Sequence, residues 1–87
     1  MADIQTVWKN IVDNQGQTFF TARKIPYAYH VSGNQIRLEN TNRNIPKKDV
    51  EIALAVANPS VVRFQQLNLQ GPSYLLGIIT DARIIKK

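Results

Sequence analysis

Residues 26 to 39 carry a clear fold signal, an alternation of apolar and polar side chains on both sides of Gly33-Asn34. Both of these residue types tolerate the positive φ angles of a two-residue hairpin loop. With that loop, Val31 faces Ile36, and a loop shifted by one residue would mix the two faces, so the pattern itself predicts the register. One face then carries Tyr27, Tyr29, Val31, Ile36 and Leu38, and the other carries Ala28, His30, Ser32, Gln35, Arg37 and Glu39.

Helical spacing of apolar residues predicts one helix on each side of the hairpin. The first spans residues 4 to 12, with Asp3 placed as its N-cap and Trp8 inside its apolar stripe. The second begins near Pro46, a residue suited to the first helical turn, and ends at Asn58. Its inward stripe is Val50, Ala53, Leu54 and Ala57.

The remaining segments complete a small α+β domain. Residues 18–22 are rich in β-formers and predict a third strand, whereas residues 40–44 predict a polar turn. Residues 60–70 fit either a helix or a strand, and Pro72 favours a helix after it. We therefore predict one domain over residues 1–87: an N-terminal helix, a three-stranded antiparallel sheet with one open face, then a helix and a mixed C-terminal part.

The chain offers little for catalysis or metal binding. His30 is its only histidine and it has no cysteine, which excludes thiolate sites and multi-histidine metal sites. Ser32 and Glu39 share the predicted face of His30, but no nucleophile elbow surrounds either residue. The glycines are too dispersed for a phosphate-cradling loop. We predict a non-enzymatic binding module without a metal or cofactor, and a small enzyme built around His30 is the weakest alternative.

The excess positive charge of the chain, +5, lies between residues 23 and 48, where six basic residues meet one acid, Glu39. A charge confined to one segment can form a charged surface, and such a surface attracts polyanions. Arg23 and Lys24 fall at a strand end and its turn. The candidate phosphate-binding residues are Arg37 on the polar hairpin face, Arg43 in the following turn, and Lys47 and Lys48 in the first turn of the second helix.

The two lysines oppose the helix macrodipole at the start of the second helix, at a small cost in stability. Free backbone N–H groups there, beside Arg43, predict a phosphate site. The alternative is an ordinary solvated helix start, at which Asp49 and Glu51 supply the usual negative charge.

The predicted partner is the backbone of DNA or RNA, without sequence readout, because no helix-turn-helix pattern is evident. Tyr27 and Tyr29 share a face with aliphatic residues, so we expect them in the core and not on a base-stacking surface. The alternative is a protein-interaction or homo-oligomerisation domain, such as a homodimer formed through the open sheet face or an edge strand. No apolar run approaches the ~20 residues of a membrane span and no signal-peptide pattern is present, so we expect a cytoplasmic protein without a membrane partner.

Three motifs stand out along the chain: residues 21–29 (TARKIPYAY), 44–49 (NIPKKD) and 71–74 (GPSY). Together they resemble a poorly characterised small prokaryotic domain that is associated with DNA-restriction and mobile-element proteins. The similarity covers residues 16–84. It implies a DNA-related context, and it assigns neither an activity nor a functional residue.

Overall fold

One helix, five short strands and four further helices follow one another along the part of the chain that the computed structural model describes, residues 3–21, 23–39 and 43–85. In chain order they are α1 (Ile4–Asp13), β1 (Phe19–Phe20), β2 (Pro26–Tyr27), β3 (Tyr29–Ser32), β4 (Gln35–Leu38), β5 (Asn44–Pro46), α2 (Lys47–Leu54), α3 (Val61–Gln66), α4 (Pro72–Ile79) and α5 (Ala82–Ile85). β1 and β2 form an antiparallel ribbon, and β3, β4 and β5 form an antiparallel sheet in that order. The predicted α+β class with an N-terminal helix and a three-stranded antiparallel sheet is confirmed.

The β3–β4 hairpin has the predicted register. Tyr29 pairs with Leu38 and Val31 with Ile36, and Gly33 adopts a φ of +62° in the loop. Side chains of the apolar face are buried or half-buried, while those of the polar face are exposed except for a half-buried alanine. Because α1 packs against β3 and α2 against β5, the helices cover the apolar face and leave the polar face open.

The third strand of the sheet is β5, and the strand predicted at residues 18–22 is not part of it. β1 covers only two residues and pairs with β2, because Thr21 closes a tight turn with Ile25. The Thr21 N–H donates to the Ile25 carbonyl at 3.1 Å, and its Oγ1 accepts the Ile25 N–H at 3.2 Å. β5 instead pairs with β4 and buries Ile45 completely. Positions 40–42 of the predicted polar turn lie outside the described residues.

Helix α2 begins at the predicted position and ends at Leu54, ahead of the predicted Asn58. The N–H groups of Ala55 and Val56 donate to carbonyls three residues back, so the chain leaves the helix through tight 3₁₀-type turns. Ala57, which we expect on the inward stripe, is exposed as a result.

The C-terminal part is built from three short helices. Residues 60–70 fit a helix or a strand by sequence, and Val61–Gln66 within them form the helix α3. The Ser60 Oγ accepts the Arg63 N–H at the start of α3 at 3.1 Å. Helix α4 begins at Pro72, as predicted. The buried side chains of Phe64 and Ile84 tie these helices to the core.

Three aromatic side chains lie inside the core. The ring centroid of Phe19 is 6.1 Å from that of Tyr27 and 5.2 Å from that of Tyr29, and all three residues are buried. Both tyrosines are therefore core residues, as predicted. Phe20, on the other side of the ribbon, is 56% exposed.

Arg83 joins the C-terminal helices to the N-terminal part of the chain. Its guanidinium donates to both carboxylate oxygens of Asp81 at 2.9 Å, to the Thr18 carbonyl at 3.0 Å and to Gln17 Oε1 at 3.1 Å. It also lies 4.0 Å from the ring centroid of Phe19. The hydrogen bonds from Arg83 lower the pKa of Asp81. Arg83 therefore has a structural role in this fold.

We expect the fold to lose stability in alkaline solution. Tyr27 donates its hydroxyl to the Tyr74 carbonyl at 2.9 Å and Tyr29 donates to the Ile11 carbonyl at 2.7 Å, and burial raises the pKa of both hydroxyls. The folded state therefore holds these protons more tightly than the unfolded chain, in which a tyrosine titrates near pH ~10. The stabilisation is complete below that pH and falls as pH rises, by up to about 1.4 kcal/mol per pH unit for each tyrosine.

Urea unfolding between neutral and strongly alkaline pH measures this effect. In Tyr29→Phe the free energy of unfolding should fall less steeply with pH, because only one of the two hydroxyls with a raised pKa remains. A free energy of unfolding that stays constant well above pH ~10 would contradict the prediction.

Candidate nucleic-acid interface

Arg37 lies in the middle of the open sheet face. It is on β4, the central strand, directly opposite His30 of β3 and Asn44 of β5. Its neighbours Ile36 and Leu38 are buried, so the alternation of the strand turns Arg37 to the exposed face. Among the described residues Arg37 has no ion-pair partner. Within the described part of the chain, its charge is therefore not neutralised by an ion pair.

Lys47 and Lys48 line a groove between the hairpin loop and the starts of α1 and α2. The Lys47 N–H donates to the Asn34 carbonyl at 2.7 Å, which fastens the start of α2 to the hairpin. The Lys47 Nζ lies 5.7 Å from the centroid of the Trp8 ring, within the range of a cation–π contact. Lys48 is exposed. The groove has a volume of about 570 Å³, and its other lining residues are Ile4, Gln5, Asn34, Gln35, Pro46 and Glu51.

The start of α2 has no side-chain cap. Pro46 occupies the cap position, and its side chain forms no cap hydrogen bond, so the N–H groups of Lys48 and Asp49 have no acceptor within the helix. Asp49 supplies a negative charge in the first turn of α2, as the alternative of an ordinary solvated helix start expects, but it does not lie exposed beside the lysines. It is buried, and its Oδ2 accepts the N–H of Gln70 at 3.0 Å. Sequence reasoning missed this tether, although Asp49 shares a helix face with Ala53, four residues later.

Arg43 is exposed directly before β5. Gln35 pairs with Pro46, the residue before α2, and Arg37 lies two residues further along β4. The start of α2 therefore lies beside β4, about 7 Å along the strand from Arg37. Neither Arg37 nor Arg43 lines the groove. The groove therefore unites only the two lysines, whereas Arg37 lies on the adjoining sheet and Arg43 lies directly before its last strand. We refer to the four candidate residues as the basic face: Arg37, Arg43, Lys47 and Lys48.

Two acids adjoin the basic face. Glu51 lines the groove, and the Glu39 Oε2 lies 3.7 Å from the Nδ1 of His30. That distance exceeds a hydrogen bond, and both side chains are about half exposed to solvent. The His30–Glu39 pair is therefore a weak surface contact, and the basic face keeps more positive than negative charges.

The edges of the sheet are poorly suited to pairing with another chain. At the β3 edge, the Gly16 N–H donates to the Tyr29 carbonyl at 2.8 Å and the Val31 N–H donates to Gln15 Oε1 at 3.0 Å. The β5 edge ends at Pro46, which has no N–H to donate. Two of the backbone groups through which a strand could be added at the β3 edge are therefore occupied, and one donor is missing at the β5 edge.

Comparisons of the chain with protein-family models, with curated proteins and with solved structures found no match. In the described part of the chain, no three His, Cys, Asp or Glu side chains come together to hold a metal ion. None of the helices formed by residues 3–21, 23–39 and 43–85 is long and apolar enough to cross a membrane.

Proposed function

We propose that this chain is a non-enzymatic, cytoplasmic module that binds the phosphate backbone of DNA or RNA through the basic face. The observation that carries the proposal is the position of Arg37, exposed and without an ion pair among the described residues, at the centre of a polar sheet face. Lys47 and Lys48 begin the helix that follows on the neighbouring strand. Cationic side chains on an open polar surface attract polyanions and neutralise their phosphates.

Two basic residues outside the basic face are paired with acids. Lys9 pairs with Asp13 at 2.9 Å, and Arg83 is held by Asp81 at 2.9 Å. The residues of the basic face, like Arg23, Lys24 and Arg63, have no ion pair among the described residues. The resemblance to a domain of DNA-restriction and mobile-element proteins agrees with a DNA-related role.

The expected mode of binding is contact with phosphates and not with base edges. Phosphate contacts fix position but carry little sequence information. We therefore expect similar affinities for oligonucleotides of different sequence, and a strong dependence of affinity on salt.

Fluorescence anisotropy with labelled single-stranded and double-stranded DNA and single-stranded RNA tests the proposal. If three to four residues of the basic face each neutralise one phosphate, affinity for duplex DNA should fall about 40- to 150-fold between about 50 and about 200 mM salt. An absence of binding to all three polymers at low salt would refute the proposed function.

Homo-oligomerisation through the sheet has less support. The outer sheet face is polar, and the β3 edge is covered by Gln15 and Gly16. Light scattering distinguishes the two functions, since this alternative requires a dimer or a larger species and the basic face does not.

A further inference from the structure

A second surface, on the side of the ribbon turn, has different chemistry from the basic face. It is a cleft of about 560 Å³ between the 21–25 turn, α3 and the start of α4. We refer to it as the turn cleft. The lining residues that matter for its chemistry are Arg23, Ile25, Val62, Gln65, Ser73 and Tyr74.

Two aliphatic side chains on opposite walls give the turn cleft an apolar character. Ile25, on the turn, is 50% exposed, and Val62, on α3, is 62% exposed. Single exposed aliphatic residues are ordinary on protein surfaces. Here they face one concave space, in which an apolar side chain of a ligand would be covered from both sides.

The charged and polar groups of the turn cleft favour an anionic ligand. Arg23 is the one charged residue that lines it, and Arg23 forms no ion pair within the described part of the chain. Gly71 gives α4 no side-chain cap, so the N–H groups of Ser73 and Tyr74 have no acceptor in the helix. Both the guanidinium and this helix start stabilise a carboxylate.

Hydrogen bonds join the described residues of the turn that carries Arg23. Two hydrogen bonds join Thr21 to Ile25, and the Lys24 N–H donates to the Thr21 carbonyl at 2.8 Å. Lys24 adopts a φ of +64°, a conformation that costs a lysine free energy. The hydrogen bonds restrain Thr21, Lys24 and Ile25 before a ligand binds, which lowers the entropy cost of binding at these residues.

We propose that the turn cleft binds a segment of another protein that carries an aliphatic or aromatic side chain next to acidic residues. Charge complementarity selects this occupant, because no acid lines the cleft. A second copy of this chain fits poorly, since most of its acids are already engaged. Asp3 caps α1, Asp13 and Asp81 are in ion pairs, and Asp49 is buried. Of the other two acids, Glu39 makes a weak contact with His30 and Glu51 is exposed.

The test uses the full chain as bait for a displayed library of random dodecapeptides. Selected peptides should be enriched in Asp or Glu beside Leu, Ile or Phe. Affinity for a selected peptide, measured by anisotropy, should fall at least about tenfold in Arg23→Glu and in Val62→Asp. Both positions are exposed, so the variants should fold, and thermal unfolding verifies this. Lys48→Glu, on the basic face, is the matched control and should leave peptide affinity unchanged.

Three results would overturn the proposal. The first is that none of the selected peptides depends on Arg23 and Val62 for binding. The second is a homodimer that Val62→Asp dissociates, which would make a second copy the occupant. The third is a loss of nucleic-acid affinity in Arg23→Glu as large as that in Lys48→Glu, which would make the cleft part of the nucleic-acid surface.

Discussion

Replacing Arg37 and Lys48 together by glutamate should weaken nucleic-acid binding by about 10- to 100-fold at low salt and lower the slope of log affinity against log salt by about 2. Each residue is exposed and without an ion pair among the described residues. Reversal therefore removes one phosphate contact and adds one repulsion at each position, with little effect on the fold. Anisotropy against duplex and single-stranded oligonucleotides measures the effect.

The matched control for this variant is Arg63→Glu. Arg63 is exposed on α3, which packs against α4 and lies away from the groove that Lys48 lines. Arg63→Glu changes the net charge by as much as a single reversal at Arg37 or at Lys48 does, and it should alter affinity only slightly. Lys47 is a poorer position for reversal, because its ammonium contacts the Trp8 ring. Equal losses of affinity in Arg63→Glu and in the double variant would contradict a localised basic face.

The second large effect is expected in α4, where Gly77→Ala should destabilise the protein by about 2 kcal/mol. A Cβ at Gly77 would lie 2.6 Å from the Phe20 carbonyl oxygen and 2.7 Å from the Tyr27 hydroxyl. The carbonyl belongs to the backbone of β1, so the ribbon must move away from the helix. Overpacking costs about 1–3 kcal/mol, and a clash with backbone, which cannot turn aside as a side chain does, belongs at the upper end of that range. Subtracting the ~1 kcal/mol that alanine gains over glycine in a helix leaves the predicted loss.

Gly33→Ala is the control for this prediction. No atom lies within 4 Å of a Cβ built at Gly33, and only its φ of +62° opposes the substitution. We expect a loss of about 1 kcal/mol there. Urea unfolding measures both variants. If Gly77→Ala instead raised the free energy of unfolding, as the same change does at a helical site with free space, α4 and the ribbon would not pack as described.

The sequence predicted the elements whose pattern is local. The hairpin register followed from Gly33-Asn34 and the alternation around it, because a shift by one residue would exchange buried and exposed faces. The start of α1 followed from Asp3, whose carboxylate accepts the Thr6 N–H at 2.8 Å. The exposure of Arg37 followed in the same way from its strand position.

Features that depend on distant parts of the chain could not be predicted. The identity of the third strand depends on the hydrogen bonds that close the 21–25 turn and on the burial of Ile45 against the rest of the core. The tether from Asp49 to Gln70 and the contacts of Arg83 with Thr18 and Phe19 join residues far apart in sequence. Nothing in the local pattern of one segment specifies its partner in another.

Chemical-shift mapping by NMR tests the central claim most directly. The full chain, labelled with ¹⁵N, is titrated with an unlabelled DNA duplex at low salt. We expect the largest shift changes at the backbone amides of Arg37, Lys47 and Lys48, with small changes at Val62 and Ser73 in the turn cleft. Changes concentrated in the turn cleft, or none on the basic face, would contradict the proposed function.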